Sequence, residues 1–216
     1  MQIDIMDMDK VIGNQVKKIE ELDVFTGKHV HNVQKITVKL CEKLGIEEEK
    51  TKLYANCALL HDIGKIFIPP YVLQKPSKLT NEEFEIMKSH TIKGYELCMA
   101  QDSLRKYANV VRYHHENEDG TGYPDGLKGN EIPIEAKIVK VADIYDAISS
   151  RRQYKPEIER AQALRIVSEE VEKGKINAHI FNSLIDVVID EIKLDGGNLQ
   201  EIEELKHMKK MKYRYK

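Results

Sequence analysis

Apolar residues recur at helical spacing from near the start of this chain to near its end, and no run alternates long enough to make a strand. Such a chain can bury its apolar stripes only by packing helix on helix, so the expected fold is all-α, a compact multi-helix bundle. Helices are expected roughly over 8–22, 27–44, 48–63, 81–100, 102–116, 133–150, 156–173, 178–193 and 198–212. Gly45 stands where the second would stop, and Pro69 and Pro70 close the third. "TNEE" at 80–83 has the form of a capping box, while Pro133 and Pro156 suit helix starts. Ile180, Leu184, Val188 and Ile192 form one row, with Phe181, Ile185 and Ile189 beside it, a face wide enough for a core.

At 216 residues the chain can fill one core without staples. Apolar residues make up 41% and charged residues 32%, the balance of a folded domain. The 34 basic and 36 acidic side chains nearly cancel, so no global field marks a binder of nucleic-acid polymer. Three scattered cysteines, Cys41, Cys57 and Cys98, form no disulfide framework and fit a reducing compartment. No apolar run approaches the ~18 residues of a membrane span, and the acidic start "MQIDIMDMDK" lacks the basic flank of a signal peptide. A cytoplasmic protein with no membrane insertion is expected. The last residues, "KHMKKMKYRYK", place cations where a helix C-terminus favours them, and are read as a solvated end rather than a nucleic-acid or membrane patch.

Six of the eight histidines fall between 29 and 115. Five of them extend apolar rows: His29 with Val33, Ile36 and Leu40; His61 with Tyr54, Cys57 and Ala58; His90 with Met87, Gly94 and Leu97; His114 and His115 beyond Tyr107, Ala108 and Val111. One histidine on an apolar face is usually a hydrogen-bonded core residue; five on several helices, with acids among them, are not. Asp143 interrupts an apolar helix, "KIVKVADIYDAISS", and Asp62 follows His61 in "LLHDIGK". A buried carboxylate must be neutralised, paired or bound to a cation. Seven nitrogen and oxygen donors exceed what one tetrahedral zinc needs but suit two ions sharing a bridge, with Asp62 or Asp143 the natural bridging carboxylate. Lys65 lies one helical turn past His61 and would face the same cavity if the helix continued, which implies an anionic ligand such as a phosphate. Arg151, Arg152 and Lys155 follow the helix of Asp143 and could add a bidentate guanidinium and point charges.

Together "HDIGK", His90, "HHENEDGTGYP", "VADIYDA" and "RRQYK" resemble the HD-GYP family of phosphodiesterases, a branch of the metal-dependent HD phosphohydrolases. An HD pair alone is a weak signal; the joint pattern from His29 to Lys155 is specific. The resemblance implies two divalent ions, typically iron or manganese. His29, His61, Asp62 and Asp143 would hold one, and His90, His114 and His115 the other, with Asp62 bridging. It implies Lys65 beside the substrate phosphate, Arg152 and Lys155 on the nucleotide phosphate, and Tyr123 beside the nucleotide. The implied reaction is hydrolysis of cyclic di-GMP to pGpG, and in some members to GMP, by hydroxide attack on phosphorus, with Asp62 and Lys65 assisting. Rival readings are another cyclic dinucleotide such as 3',3'-cGAMP, a general HD nucleotidase, and a non-catalytic module that binds the dinucleotide.

Two departures from the family pattern shape the expectation. Some members hold a third ion through a glutamate four residues before the first histidine; Phe25 stands there and cannot coordinate one, so two ions are expected. About 22 residues before the core leave no room for the sensory or receiver domain such proteins often have. The chain is accordingly divided into a helical segment (1–22), the HD-GYP domain (23–195) and a basic C-terminal helix or tail (196–216). The first segment either covers the core or forms a homodimer, and the GYP loop is a place for a signalling partner. Glu116 and Asp119 are expected to orient imidazoles, and Asp146 to stand behind the ligands with them. Gly120, Gly122 and Gly126 let the loop turn tightly, and Pro124 stiffens it.

Overall fold

The structure is a computed structural model that describes residues 10–22, 24–150 and 158–211, with backbone alone for 24, 25, 210 and 211. Arg151, Arg152, Lys155, Pro156 and the Phe25 side chain lie outside the described residues. Among the described residues ten α-helices follow in order: α1 Lys10–Glu20, α2 Val24–Lys43, α3 Glu48–Leu60, α4 Pro70–Leu73, α5 Asn81–Met99, α6 Ala108–Tyr113, α7 Ile134–Ser149, α8 Arg160–Glu172, α9 Ala178–Leu194 and α10 Leu199–Met211. Among the described residues there is no sheet, only an isolated bridge between Asp119 and Lys128. The fold is the all-α bundle that the apolar rows imply.

Local signals act where expected. Thr80 accepts from the Glu83 amide while the Glu83 carboxylate accepts from the Thr80 amide, completing the capping box of α5. Gly45 takes a φ of 68° just past α2, the left-handed turn that ends a helix. α2 is the central strut and packs against α1, α3, α7 and α9. One buried cluster runs from Ile12, Val16 and Ile19 of α1, through Val33 and Leu40 of α2 and Ile138 of α7, to Leu184 and Val188 of α9 and Leu205 of α10. The apolar row of α1 is therefore used inside the chain. Cys41, Cys57 and Cys98 are buried free thiols. No helix among the described residues is long and apolar enough to cross a membrane.

Two helix ends differ from the periodicity, and both matter for the site. α3 stops at Leu60; His61 and Asp62 lie in a turn, followed by a 3₁₀ turn at Ile63–Phe67. The cause is close backbone packing. A Cβ on Gly64 would stand 1.9 Å from the His90 carbonyl oxygen and 2.7 Å from the Gly94 nitrogen, so α5 presses directly on the turn. The segment expected as one helix over 102–116 is a 3₁₀ turn at Arg105–Tyr107 leading into the short α6. His114 caps α6 and His115 follows it, so both project from a turn rather than along a helix face.

Candidate metal centre

Five elements bring their donors to one place: the start of α2 (His29), the turn after α3 (His61, Asp62), the middle of α5 (His90), the end of α6 (His114, His115) and the middle of α7 (Asp143). The donor atoms fall into two groups, each with its members within 4.8 Å of one another: Asp62, His90, His114 and His115; and His29, His61 and Asp143. Asp62 faces both. Its Oδ1 lies 3.5 Å from His90 Nε2 and 3.8 Å from His114 Nε2, while its Oδ2 lies 3.2 Å from His61 Nε2. In the second group His29 Nε2 is 2.9 Å and His61 Nε2 4.0 Å from Asp143 Oδ1. All these oxygens and nitrogens are hard or borderline donors suited to divalent ions of the first transition row.

The imidazoles are held from behind. Ala58 O accepts from His61 Nδ1 at 2.7 Å, and Met87 O accepts from His90 Nδ1 at 2.7 Å. The carbonyls of Val110 and Val111 share His114 Nδ1 at 3.1 Å. A carbonyl can only accept, so each Nδ1 bears the hydrogen and each Nε2 lone pair faces the centre. His29 is oriented differently: Asp146 Oδ2 accepts from its Nδ1 at 2.6 Å, and Ser150 donates to the other oxygen of Asp146 at 2.6 Å. Asp62 Oδ1 and His61 Nε2 are buried with no hydrogen-bond partner among the described residues. Cations at the two groups would satisfy both atoms, so the residues present fit a binuclear divalent-metal site.

Charge follows the same division. Burial pushes His90 down to about 4 and His115 to about 3, and takes His114 well below the ordinary imidazole range, leaving these rings neutral near pH 7. Burial opposes a charge on His29, but hydrogen bonds to Asp143 and Asp146 outweigh it and lift its pKa to about 9. Burial also opposes ionisation of Asp62, yet Lys65 and His61 hold its carboxyl well below the usual range; His29 does the same for Asp143. Both carboxylates are thus anions.

Lys65 reaches the centre without a continuing helix: the 3₁₀ turn brings its Nζ to 2.6 Å from Asp62 Oδ2. Tyr123 stacks on His115, ring centroids 4.7 Å apart and planes 26° apart, and its phenol is held neutral by burial and by Asp62 and Asp143. The peptide before Pro124 is cis. Gly120 has a φ of 79°, and a Cβ on Gly122 would lie 2.3 Å from the Asn117 nitrogen, so the loop folds tightly on itself.

Glu116 and Asp119 do not orient imidazoles. The Glu116 carboxylate accepts from the backbone amides of Asp125, Gly126 and Leu127 at 2.7, 3.0 and 3.1 Å, and Asp119 accepts from the amide and hydroxyl of Thr121. The loop reverses direction and presents its own amides to the nearest carboxylates. Lys140, which the sequence reading passes over, is buried and donates to the Glu116 carbonyl and to Asn117 Oδ1. Burial lowers its pKa to about 8 against the pull of Asp143 and Glu116. Its position one turn before Asp143 was the available sign.

An all-α bundle that gathers histidines and aspartates into two groups around one carboxylate defines the HD class, and the chain belongs to the HD domain family, which matches residues 8–180. Within that family it is related to HD-GYP-type phosphodiesterases. It is 41% identical over 148 residues to the cyclic di-GMP phosphodiesterase response regulator RpfG of Xanthomonas campestris pv. campestris, a match covering 68% of this chain and 39% of that one. It is 34% identical over 160 residues to the 3'3'-cGAMP-specific phosphodiesterase 2 of Vibrio cholerae, covering 72% of this chain and 30% of that one. The chain thus spans well under half the length of these relatives. In fold it is similar to Bd1817, a HDG"Y"P protein from Bdellovibrio bacteriovorus, with a TM-score of 0.61 at 24% identity over 83% of this chain and 61% of that one.

Proposed function

We infer that the chain is a metal-dependent phosphodiesterase of cyclic dinucleotides, with cyclic di-GMP the substrate and pGpG the product. The observation behind this reading is the pair of donor groups that meet at Asp62, one oxygen toward each, with the Lys65 ammonium alongside. His29, His61, Asp62 and Asp143 would hold one divalent ion and His90, His114 and His115 the other, with Asp62 shared; iron and manganese suit this nitrogen–oxygen set. Such ions neutralise phosphate charge and supply an activated water near neutral pH.

The chain's own groups do the rest. The carbonyl-bound histidines keep their Nε2 atoms aimed inward, and Asp146 does so for His29. Lys65 offers a point charge for a non-bridging phosphate oxygen as negative charge builds during in-line displacement. The neutral Tyr123 phenol is a hydrogen-bond donor at the same wall. Arg152 and Lys155 are assigned to the nucleotide phosphates on their sequence motif.

The similarity to a cGAMP-specific phosphodiesterase favours one alternative, the same chemistry on 3',3'-cGAMP. Protein purified anaerobically with iron or manganese should convert cyclic di-GMP to pGpG on chromatography, and His61→Ala and Asp62→Ala proteins should not. Turnover of 3',3'-cGAMP alone would reassign the substrate. Unchanged activity in both variants would sink the site assignment, and tight binding without turnover would make the chain a sensor.

A further inference from the structure

We propose that Phe84 is a purine-stacking residue of this centre, the platform on which one base of the cyclic dinucleotide rests. The inference rests on the cyclic-dinucleotide reading of the site and adds a specificity residue that the motifs do not include.

Phe84 lies in the first turn of α5 and is 46% exposed. A lone exposed phenylalanine needs no explanation, but this one is joined to the metal centre by an unbroken series of rings. Its centroid is 6.2 Å from that of Tyr123, edge to face at 82°, and Tyr123 stacks in turn on His115. The Lys88 ammonium lies 5.6 Å from the Phe84 centroid and 5.8 Å from the Tyr123 centroid, tying the two rings together, and is itself paired with Glu85 at 2.6 Å.

Tyr123 is the obvious candidate for stacking, and the geometry argues against it. It packs nearly parallel against His115 on one side and meets Phe84 on another, and it is less exposed than Phe84. Phe84 is the ring of this series with substantial surface left in solvent. It also stands at a suitable remove: it precedes His90 by six residues on one helix, which is ~9 Å along the axis. A phosphorus held at the histidine end therefore leaves a sugar's length before the base meets the phenylalanine. Every purine has a π face, so the contact would favour nucleotide diesters over simple ones without choosing between guanine and adenine.

The test compares metal-loaded wild type, Phe84→Ala and Phe84→Trp. Steady-state kinetics are measured on cyclic di-GMP and on bis(p-nitrophenyl) phosphate, a diester without a purine, and binding on the non-hydrolysable phosphorothioate analogue of cyclic di-GMP. Phe84→Ala should raise KM and weaken analogue binding about 5- to 150-fold, the range of a lost base–aromatic stack, with kcat and bis(p-nitrophenyl) phosphate turnover within about twofold of wild type. Phe84→Trp should restore binding. Equal KM and equal affinity in wild type and Phe84→Ala would overturn the proposal and leave the phosphodiesterase reading standing, as would an equal loss on both substrates with lower metal content. Wild type that binds the analogue but turns over no cyclic dinucleotide would sink the phosphodiesterase reading, with the Phe84→Ala binding loss still supporting the stack. Wild type that neither binds the analogue nor turns over cyclic di-GMP would overturn both the stack and cyclic di-GMP as the substrate.

Discussion

His29 and the other buried imidazoles sit on opposite sides of their ordinary pKa, which gives the metal-free protein a definite pH profile. The lowered values of His90 and His115, about 4 and about 3, mean that the unfolded chain binds protons below pH 6.5 that the folded chain refuses. Their stabilising contribution is present above 6.5 and is lost as pH falls toward 4. His29, raised to about 9, works the other way: its contribution is complete below 6.5 and is lost as pH rises through 9. Urea unfolding of the chelator-treated protein should therefore show greatest stability near pH 6.5. It should be lower by a few kcal/mol at pH 5, because each tenfold change in proton affinity is worth ~1.4 kcal/mol. Stability that climbs steadily from pH 6.5 to 9 would contradict the His29 assignment. Asp146 is the second test at this scale. Without it His29 loses the acceptor on Nδ1, and Asp146→Ala should lower affinity for the first ion about 10- to 100-fold in a metal titration.

At the scale of elements, the site depends on two glycines placed back to back. Gly64 and Gly94 let the turn after α3 touch α5, which brings Asp62 against His90; a Cβ on Gly94 would come within 2.6 Å of Val111 Cγ1. Gly64→Ala must push α5 away, and it should cost at least the ~1–3 kcal/mol of overpacking and reduce metal stoichiometry below two ions per chain, read by elemental analysis. Normal stability with full metal content would show that the contact is not needed. Much of this centre was legible beforehand, because His29, His61, His90 and Asp143 interrupt apolar rows that have to face inward. What was not legible has a common cause. The carbonyls that bind Nδ1 come with the local turn and leave no mark on residue identity. Lys140 and Glu116 depend on a chain reversal: Glu116 is adjacent to His115 in sequence, but its partners are amides about ten residues on. Periodicity carries α3 a few residues past Leu60 because what ends it, the approach of α5, belongs to tertiary structure.

For the whole molecule, α10 separates stability from chemistry. It buries Ile202 and Leu205 against the core and contributes no donor to either group. Removing residues 199–216 should lower the melting temperature by roughly 5–15 °C, as two lost apolar burials predict, while the truncated chain still takes up two ions. Loss of metal on truncation would mean that the core and the centre are more tightly coupled than their contacts imply. The opposite arrangement governs the segment from His114 to Leu127. There the backbone that presents two imidazoles continues into a residue whose carboxylate gathers three amides from the far side of the same loop. Loop and centre are in effect one mechanical part, with little slack between them. Deuterium uptake at 125–127 should then quicken when the ions are stripped, and a protein that gripped the loop from outside would, by the same linkage, alter how firmly the ions are held.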